Sequence, residues 1–286
     1  MKRLTSSEFA QRISDTYDLL EIRSEYKNTR SLVEVFCHKT DQIGRPHGAY
    51  STLGASLLHQ GRGCQKCAND SRSKAKTIHV HDHSFFSVPN LTNSYWAGFI
   101  AADGNVPDER HLYIKLSAKD SGHLEKFHRD IGYTGPVYYG EREAFGKMAK
   151  HCSTFLANAE RVVYDLEHNF NITQRKSLTL LPPTGLKDSC SLAYLKGYID
   201  GDGHLKIQPP RYRIGACGTE QTLTWIKEWF DRLSPSVSAN GLISSVRKMY
   251  TANTFYYEVG AGRAERIIAS LRTIKTPHLH RKWECD

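Results

Sequence analysis

The sequence predicts an α+β protein of two similar halves, each running helix, strand, strand, helix, strand, strand, helix, behind a small cysteine-bearing module. Three observations carry that prediction. Tyr95-Trp96-Ala97-Gly98-Phe99-Ile100-Ala101-Ala102-Asp103-Gly104 returns ninety-nine positions later as Tyr194-Leu195-Lys196-Gly197-Tyr198-Ile199-Asp200-Gly201-Asp202-Gly203, matching at Tyr, Gly, Ile, Asp and the final Gly. A repeat of this kind implies a duplicated unit with pseudo-twofold symmetry. Behind each copy the apolar pattern switches from helical spacing to alternation, as in Leu112, Ile114 and Leu116 against Tyr113 and Lys115. Ahead of the first copy, Gly63-Cys64-Gln65-Lys66-Cys67 forms a Cys-x-x-Cys knuckle.

Residues 1–70 read as the module. Phe9, Ile13, Leu19 and Leu20 begin at helical spacing, and Ser31–Phe36 alternates like a strand into Cys37. Met1-Lys2-Arg3 leads into Ser and Glu, not into a signal-peptide core, and no apolar run approaches a membrane span. An intracellular, reducing compartment is therefore expected, and the pairing among the seven cysteines is read as metal before disulfide. A Cys-x-x-Cys is half of a tetrahedral zinc site and needs two more ligands. Cys37 and His47 are the natural candidates beside Cys64 and Cys67, with His38 second.

Residues 71–90 are polar and poor in large apolar side chains, as in a linker. His79, His81 and His83 alternate there without a cysteine or acidic cluster in fixed spacing, so a solvated strand or loop is expected rather than a metal site.

The first half spans 91–183. Its motif reads as a short helix stopped by Gly104, taken as a left-handed C′ position. A strand at 111–117, a helix through Leu124, Phe127, His128 and Ile131, strands near Val137–Arg142 and Lys147–Ala157, and a helix with Val162, Val163 and Leu166 inward follow. Arg175-Lys176 and the connector Leu181-Pro182-Pro183 close it. The second half, 184–286, repeats the order: strands Leu205–Gln208 and Arg211–Cys217, helix Thr219–Leu233, strands near Ile243–Met249 and Phe255–Val259, helix Arg263–Thr273, then Arg281-Lys282. Lys206, Gln208, Arg211 and Arg213 alternate with inward Ile207, Tyr212 and Ile214. Together with Tyr113 and Lys115 they are the candidate groove-reading side chains, since cations bind phosphates and Arg or Gln reads base edges.

Gly98/Ala102 and Gly197/Gly201 are each four apart and share one helix face, so two such faces can bring their backbones together. Asp103 and Asp202 then meet at the helix C-termini, where the dipole disfavours negative charge. A divalent cation would offset it. The net charge of +9 suits a polyanionic partner.

On these residues, roughly 90–286 resemble the LAGLIDADG homing endonucleases that carry both motifs on one chain. Ala101 departs from the pattern where the family often has an acid; Asp200 keeps it. The resemblance implies pseudo-twofold αββαββα halves forming a saddle-shaped DNA-binding sheet. It also implies Mg²⁺ held by Asp103 and Asp202 with the main-chain carbonyls of Ala102 and Gly201. Lys176 and Lys282, by their place after the last helix of each half, would lie near the scissile phosphates. The implied activity is sequence-specific double-strand cleavage of DNA across the minor groove, by a monomer, from a phage or other mobile element. The alternative within the same fold is an RNA maturase whose partner is intron RNA. Phe9, Tyr26, Asn28, Cys37, His47-Gly48 and Gly63-Cys64-Gln65-Lys66-Cys67 likewise resemble the small zinc modules found beside phage and intron endonucleases, although the Cys37-to-His47 interval is longer. That resemblance implies a module that extends the DNA footprint and holds no chemistry.

Overall fold

The computed structural model describes residues 4–61, 63–76, 78–144, 146–235, 245–249 and 254–284. Two compact units divide at Ile78.

In the first unit, α1 (Ser6–Thr16) starts at a capping box between Thr5 and Glu8. Three antiparallel strands follow, β1 (Leu20–Ile22), β2 (Leu32–Thr40) and β3 (Pro46–Leu53), paired in that order. The β2–β3 hairpin turns at Asp41, whose carboxylate accepts from the amides of Ile43 and Arg45, and Gly44 takes a φ of +83°. This turn absorbs the long Cys37–His47 interval: Cys37 lies across the ladder from Gly48. The short α2 (Gly54–Leu58) leads to α3 (Gln65–Lys76). Phe9 stacks on Tyr26 at 4.0 Å, and with Ile13, Val33, Val35 and Leu57 they form the small core.

In the second unit the order repeats as expected. The first half is α4 (Leu91–Asp103), β4 (Gly104–Asp108), β5 (His111–Ser117), α5 (Ser121–Ile131), β6 (Tyr138–Ala144), β7 (Lys147–Leu156) and α6 (Glu160–Phe170). The second is α7 (Asp188–Asp202), β8 (Gly203–Gln208), β9 (Arg211–Gly218), α8 (Glu220–Leu233), β10 (Arg247–Lys248), β11 (Phe255–Gly260) and α9 (Ala261–Arg272), with α10 (His280–Trp283) after it. Each half holds an antiparallel four-stranded sheet, ordered β4-β5-β7-β6 and β8-β9-β11-β10. α5 and α8 are amphipathic and lay Leu124, Phe127 and Ile131, and Leu223, Ile226 and Phe230, into the core. α4 and α7 are buried over most of their circumference. A Cβ at Gly98 would overlap the carbonyl of Tyr194, and one at Gly197 would overlap that of Tyr95. The contact is reciprocal, as a twofold relation between the helices requires.

Four expectations change. Gly104 and Gly203 are extended, with φ of −77° and −89°, not left-handed. Glycine is required there because a Cβ at Gly104 would sit 2.7 Å from the Ile100 carbonyl oxygen, and one at Gly203 would overlap that of Ile199. The stretch 71–90 is divided, not a free linker: α3 continues to Lys76, while Phe86 is fully buried in the second unit's core. His81 is buried rather than solvated, packs on His83, and is pushed down to about 4 by that burial. The strand near Ile243–Met249 is reduced to β10, and residues 243–244 lie outside the described ones. Among the described residues no helix is long and apolar enough to cross a membrane.

Candidate metal centres and nucleic-acid face

In the first unit Cys37, His47, Cys64 and Cys67 converge, with every ligand atom within 4.8 Å of the others. β2 supplies Cys37, β3 supplies His47, the residue just before α3 is Cys64, and the first turn of α3 supplies Cys67. His47 Nδ1 lies 3.8, 3.5 and 3.3 Å from the three sulfurs, and Cys37 Sγ lies 3.6 Å from Cys67 Sγ. Zn–S bonds of about 2.3 Å and a Zn–N bond of about 2.0 Å at tetrahedral angles give edges of about 3.8 Å and about 3.5 Å. The cluster therefore fits zinc. Burial raises Cys37 and takes Cys67 up to about 12, so these thiols ionise only if a cation compensates. His47 Nε2 lies 3.2 Å from the Asp70 carboxylate, the partner that fixes a ligating imidazole's tautomer. His38, the alternative ligand, points to Glu21 at 2.8 Å instead.

In the second unit Asp103 and Asp202 are the last residues of α4 and α7. The two motif ends are in contact: a Cβ at Gly201 would come 3.3 Å from the Asp103 amide nitrogen. Burial, then the charge of Asp202, raises the Asp103 carboxyl to about 6; Lys282, Lys176 and Arg281 work against it. Asp202 is also raised by burial and lowered by Lys176 and Lys282. Both side chains still reach solvent. Two carboxylates and the nearby carbonyls of Ala102 and Gly201 are hard oxygen donors, the set that suits a hard divalent cation.

Each lysine binds the end of one motif helix. Lys176 Nζ donates to the carbonyls of Ala101 at 2.6 Å and Ala102 at 3.3 Å. Lys282 Nζ donates to those of Ile199 at 2.9 Å, Gly201 at 3.2 Å and Gly203 at 2.6 Å. The carbonyls of Ala101, Ala102 and Gly201 are last-turn acceptors at helix C-termini, where a cation is favoured, while that of Ile199 also accepts the Gly203 amide. Burial lowers both ammoniums, Lys176 to about 8, and the aspartates oppose it.

The segments carrying the lysines are fastened crosswise. Asp120, in the first half, takes Arg281 in a bidentate pair at 2.8 and 3.0 Å. Thr219, ninety-nine positions on in the second half, donates to the carbonyl of Leu180 at 2.7 Å. Thus each half secures the lysine segment of the other. Asp200 is fully buried and accepts from Tyr95 Oη at 2.6 Å, the Leu279 amide at 2.8 Å and Trp283 Nε1 at 2.5 Å. Sequence reasoning passed over Asp120, Thr219, Tyr95 and Asp70. The repeat could have pointed to the first two, which occupy equivalent positions ahead of α5 and α8.

Lys206, Gln208, Arg211 and Arg213 are exposed on one face of the second sheet, with Lys206 opposite Arg213 and Gln208 opposite Arg211. Arg213 and His204 both approach Glu258, at 3.5 and 2.5 Å. Tyr113 and Lys115 are half-buried on the face opposite Leu112, Ile114 and Leu116. Across the ladder from Tyr113 stands Phe155, stacked on His111. Exposed Phe155 and Tyr138 add aromatic surface that sequence reasoning did not select.

No protein-family model matches the sequence, and none of the curated proteins matches it. Among solved structures the fold resembles the homing endonuclease I-WcaI bound to its DNA recognition sequence, at 11% identity and TM-score 0.48, covering 81% of this chain and 97% of that one. It also resembles the I-LtrWI LAGLIDADG homing endonuclease bound to target DNA, at 11% and 0.44, covering 68% and 86%. A third likeness is to the N-terminal LAGLIDADG domain of WhiA, at 14% and 0.40, covering 69% and 89%. All three TM-scores lie below 0.5, so the functional reading rests on the geometry of the site itself.

Proposed function

We propose that this chain is a divalent-metal-dependent endonuclease that cuts both strands of a specific DNA site, in the manner of LAGLIDADG homing endonucleases. One observation carries the reading: two carboxylates sit at the ends of two helices that share an interface, each half supplying one, with a lysine set against each helix end. Asp103 and Asp202 would hold Mg²⁺, with carbonyl oxygens of Ala102 and Gly201 beside them. Mg²⁺ suits hard oxygen donors and keeps waters of its own. When bound, the metal activates water and stabilises the leaving 3′ oxygen.

The chain's own groups do the rest. Asp103 and Asp202 add full negative charge to helix ends whose dipole already favours a cation over phosphate. Lys176 and Lys282 bring positive charge to the reacting phosphate as charge develops there. Their hydrogen bonds to helix-end carbonyls set them before substrate arrives, which removes ordering cost from the reaction. Tyr113, Lys115, Lys206, Gln208, Arg211 and Arg213 would face the duplex, the sheets together forming a saddle. Phosphate contacts give salt-dependent affinity, and the Arg and Gln forks read bases. The zinc module extends the footprint. Two motifs on one polypeptide make a monomer sufficient, cutting across the minor groove to leave short 3′ overhangs inside the cell.

Incubation with Mg²⁺ and a plasmid library of host genomic fragments, including any locus the gene interrupts with the interruption removed, tests the reading. A discrete double-strand cut supports it. Intron RNA binding with assisted splicing and no DNA cleavage would replace it with the maturase. Sedimentation of an active dimer on DNA would refute the monomer.

A further inference from the structure

The segment that follows α9 presents Lys282 to the end of α7, and Leu279 and Trp283 flank that lysine. Both end on Asp200. The carboxylate takes the Leu279 amide and the Tyr95 hydroxyl on Oδ2 and the Trp283 indole on Oδ1. Asp200 is 1% exposed and Trp283 4% exposed, so none of these three donors is offered water as a substitute. A buried donor left without an acceptor costs more than the bond itself contributes. Three donors around one side chain demand two acceptor oxygens, which a carboxylate has and an amide does not.

We infer that Asp200 is the positioning residue of Lys282: by gathering Tyr95, Leu279 and Trp283 it fixes the segment that holds the ammonium against the end of α7. The other half shows what its absence leaves. Ala101 occupies the equivalent place, and the equivalent tyrosine, Tyr194, has no hydrogen-bond partner for its buried hydroxyl among the described residues. The segment of Lys176 is held through the Leu180 carbonyl instead. Only one of the two lysines is therefore set by a buried carboxylate, and Asp200 acts through the chain and not on the metal. The consequence for strand cleavage rests on the nuclease reading; the placement of Lys282 does not.

Two measurements on the full chain test this separately. In the first, lysine acylation is followed by peptide mass spectrometry without DNA. Asp200→Asn should raise the labelling rate of Lys282 by about tenfold, the factor that one lost hydrogen bond to a charged group supports, and leave Lys176 unchanged. Trp283→Phe removes one donor and keeps the carboxylate; it should raise Lys282 labelling by a smaller factor, and it decides the matter if Asp200→Asn does not fold. Unchanged Lys282 labelling, or an equal rise at both lysines, overturns the inference. In the second, single-turnover cleavage is measured at saturating protein on the duplex that the unmutated protein cuts. Asp200→Asn should slow one strand by about tenfold with Ca²⁺-supported DNA binding unchanged, and should add nothing in a Lys282→Met background. Further slowing in that background, or equal slowing of both strands, overturns it. If the unmutated protein cuts no DNA, the nuclease reading fails while the labelling still decides the role of Asp200.

Discussion

Gly98 rests directly on the carbonyl of Tyr194, with no space between them for a side-chain carbon. Gly98→Ala gains roughly 0.5–1 kcal/mol of helix propensity, but it must push two buried backbones apart. Overpacking of a tight core costs about 1–3 kcal/mol, so the net change should be destabilising. A lower urea midpoint at unchanged slope checks this, and Gly197→Ala should behave alike because the contact is reciprocal. An unchanged midpoint would mean that the helices are not in backbone contact.

The purified protein should carry one Zn²⁺ per chain through Cys37, His47, Cys64 and Cys67, measured by elemental analysis, and Cys64→Ser should lose it. Asp70→Ala should keep the metal but weaken its hold by about tenfold, because the His47 ring loses its orienting partner. Zinc content indifferent to Cys64 would dismiss the site.

Asp103→Asn and Asp202→Asn preserve shape while removing a charge. Each should reduce double-strand cleavage by about a hundredfold or more, as loss of a metal ligand or of transition-state charge stabilisation does. Binding in Ca²⁺ should survive. A variant that still cuts both strands at the parental rate would show that its carboxylate holds no metal.

Without added Mg²⁺, the folded state binds the proton of Asp103 more tightly than the unfolded state does, because its carboxyl is raised from 3.8 to about 6. The stability this contributes is present below the unfolded value and is lost as pH rises through about 6. Solvent access to the side chain tempers its size. The urea midpoint of the unmutated protein should therefore fall, relative to that of Asp103→Asn, between pH 4 and pH 7. Mg²⁺ affinity should run the other way, weakening as pH drops below about 6. Parallel midpoints across that range would contradict the shift.

Much of this was legible because the repeat constrains two places at once. Gly98 and Gly197 announced a close helix contact by their spacing alone, and Cys64 and Cys67 called for two more side chains of ligand type, which the fold brings beside them as Cys37 and His47. What escaped was set by packing between segments distant in sequence. Gly104 was read as a left-handed cap since glycine commonly takes that role, whereas the Ile100 carbonyl behind it decides the matter. Polar composition made 71–90 look like a linker, yet single apolar residues such as Phe86 suffice to bury part of it. Asp120 and Thr219 carry no local signature, because their meaning lies in segments more than 160 and about 40 residues away.

The crosswise fastening of the lysine segments has a consequence for inheritance. Neither half holds a finished set of groups: Lys282 depends on Tyr95 and Asp120 of the first, and the segment of Lys176 depends on Thr219 of the second. One latch is ionic and the other ends on a main-chain carbonyl, so the two are no longer interchangeable. If the polypeptide were severed in the Leu181-Pro182-Pro183 connector, the fragments should recognise each other and refuse themselves. Two copies of the second half would set Thr219 opposite Arg281, leaving the guanidinium without its carboxylate. Each half thus carries the latch that the other's lysine segment needs and lacks the one that its own needs.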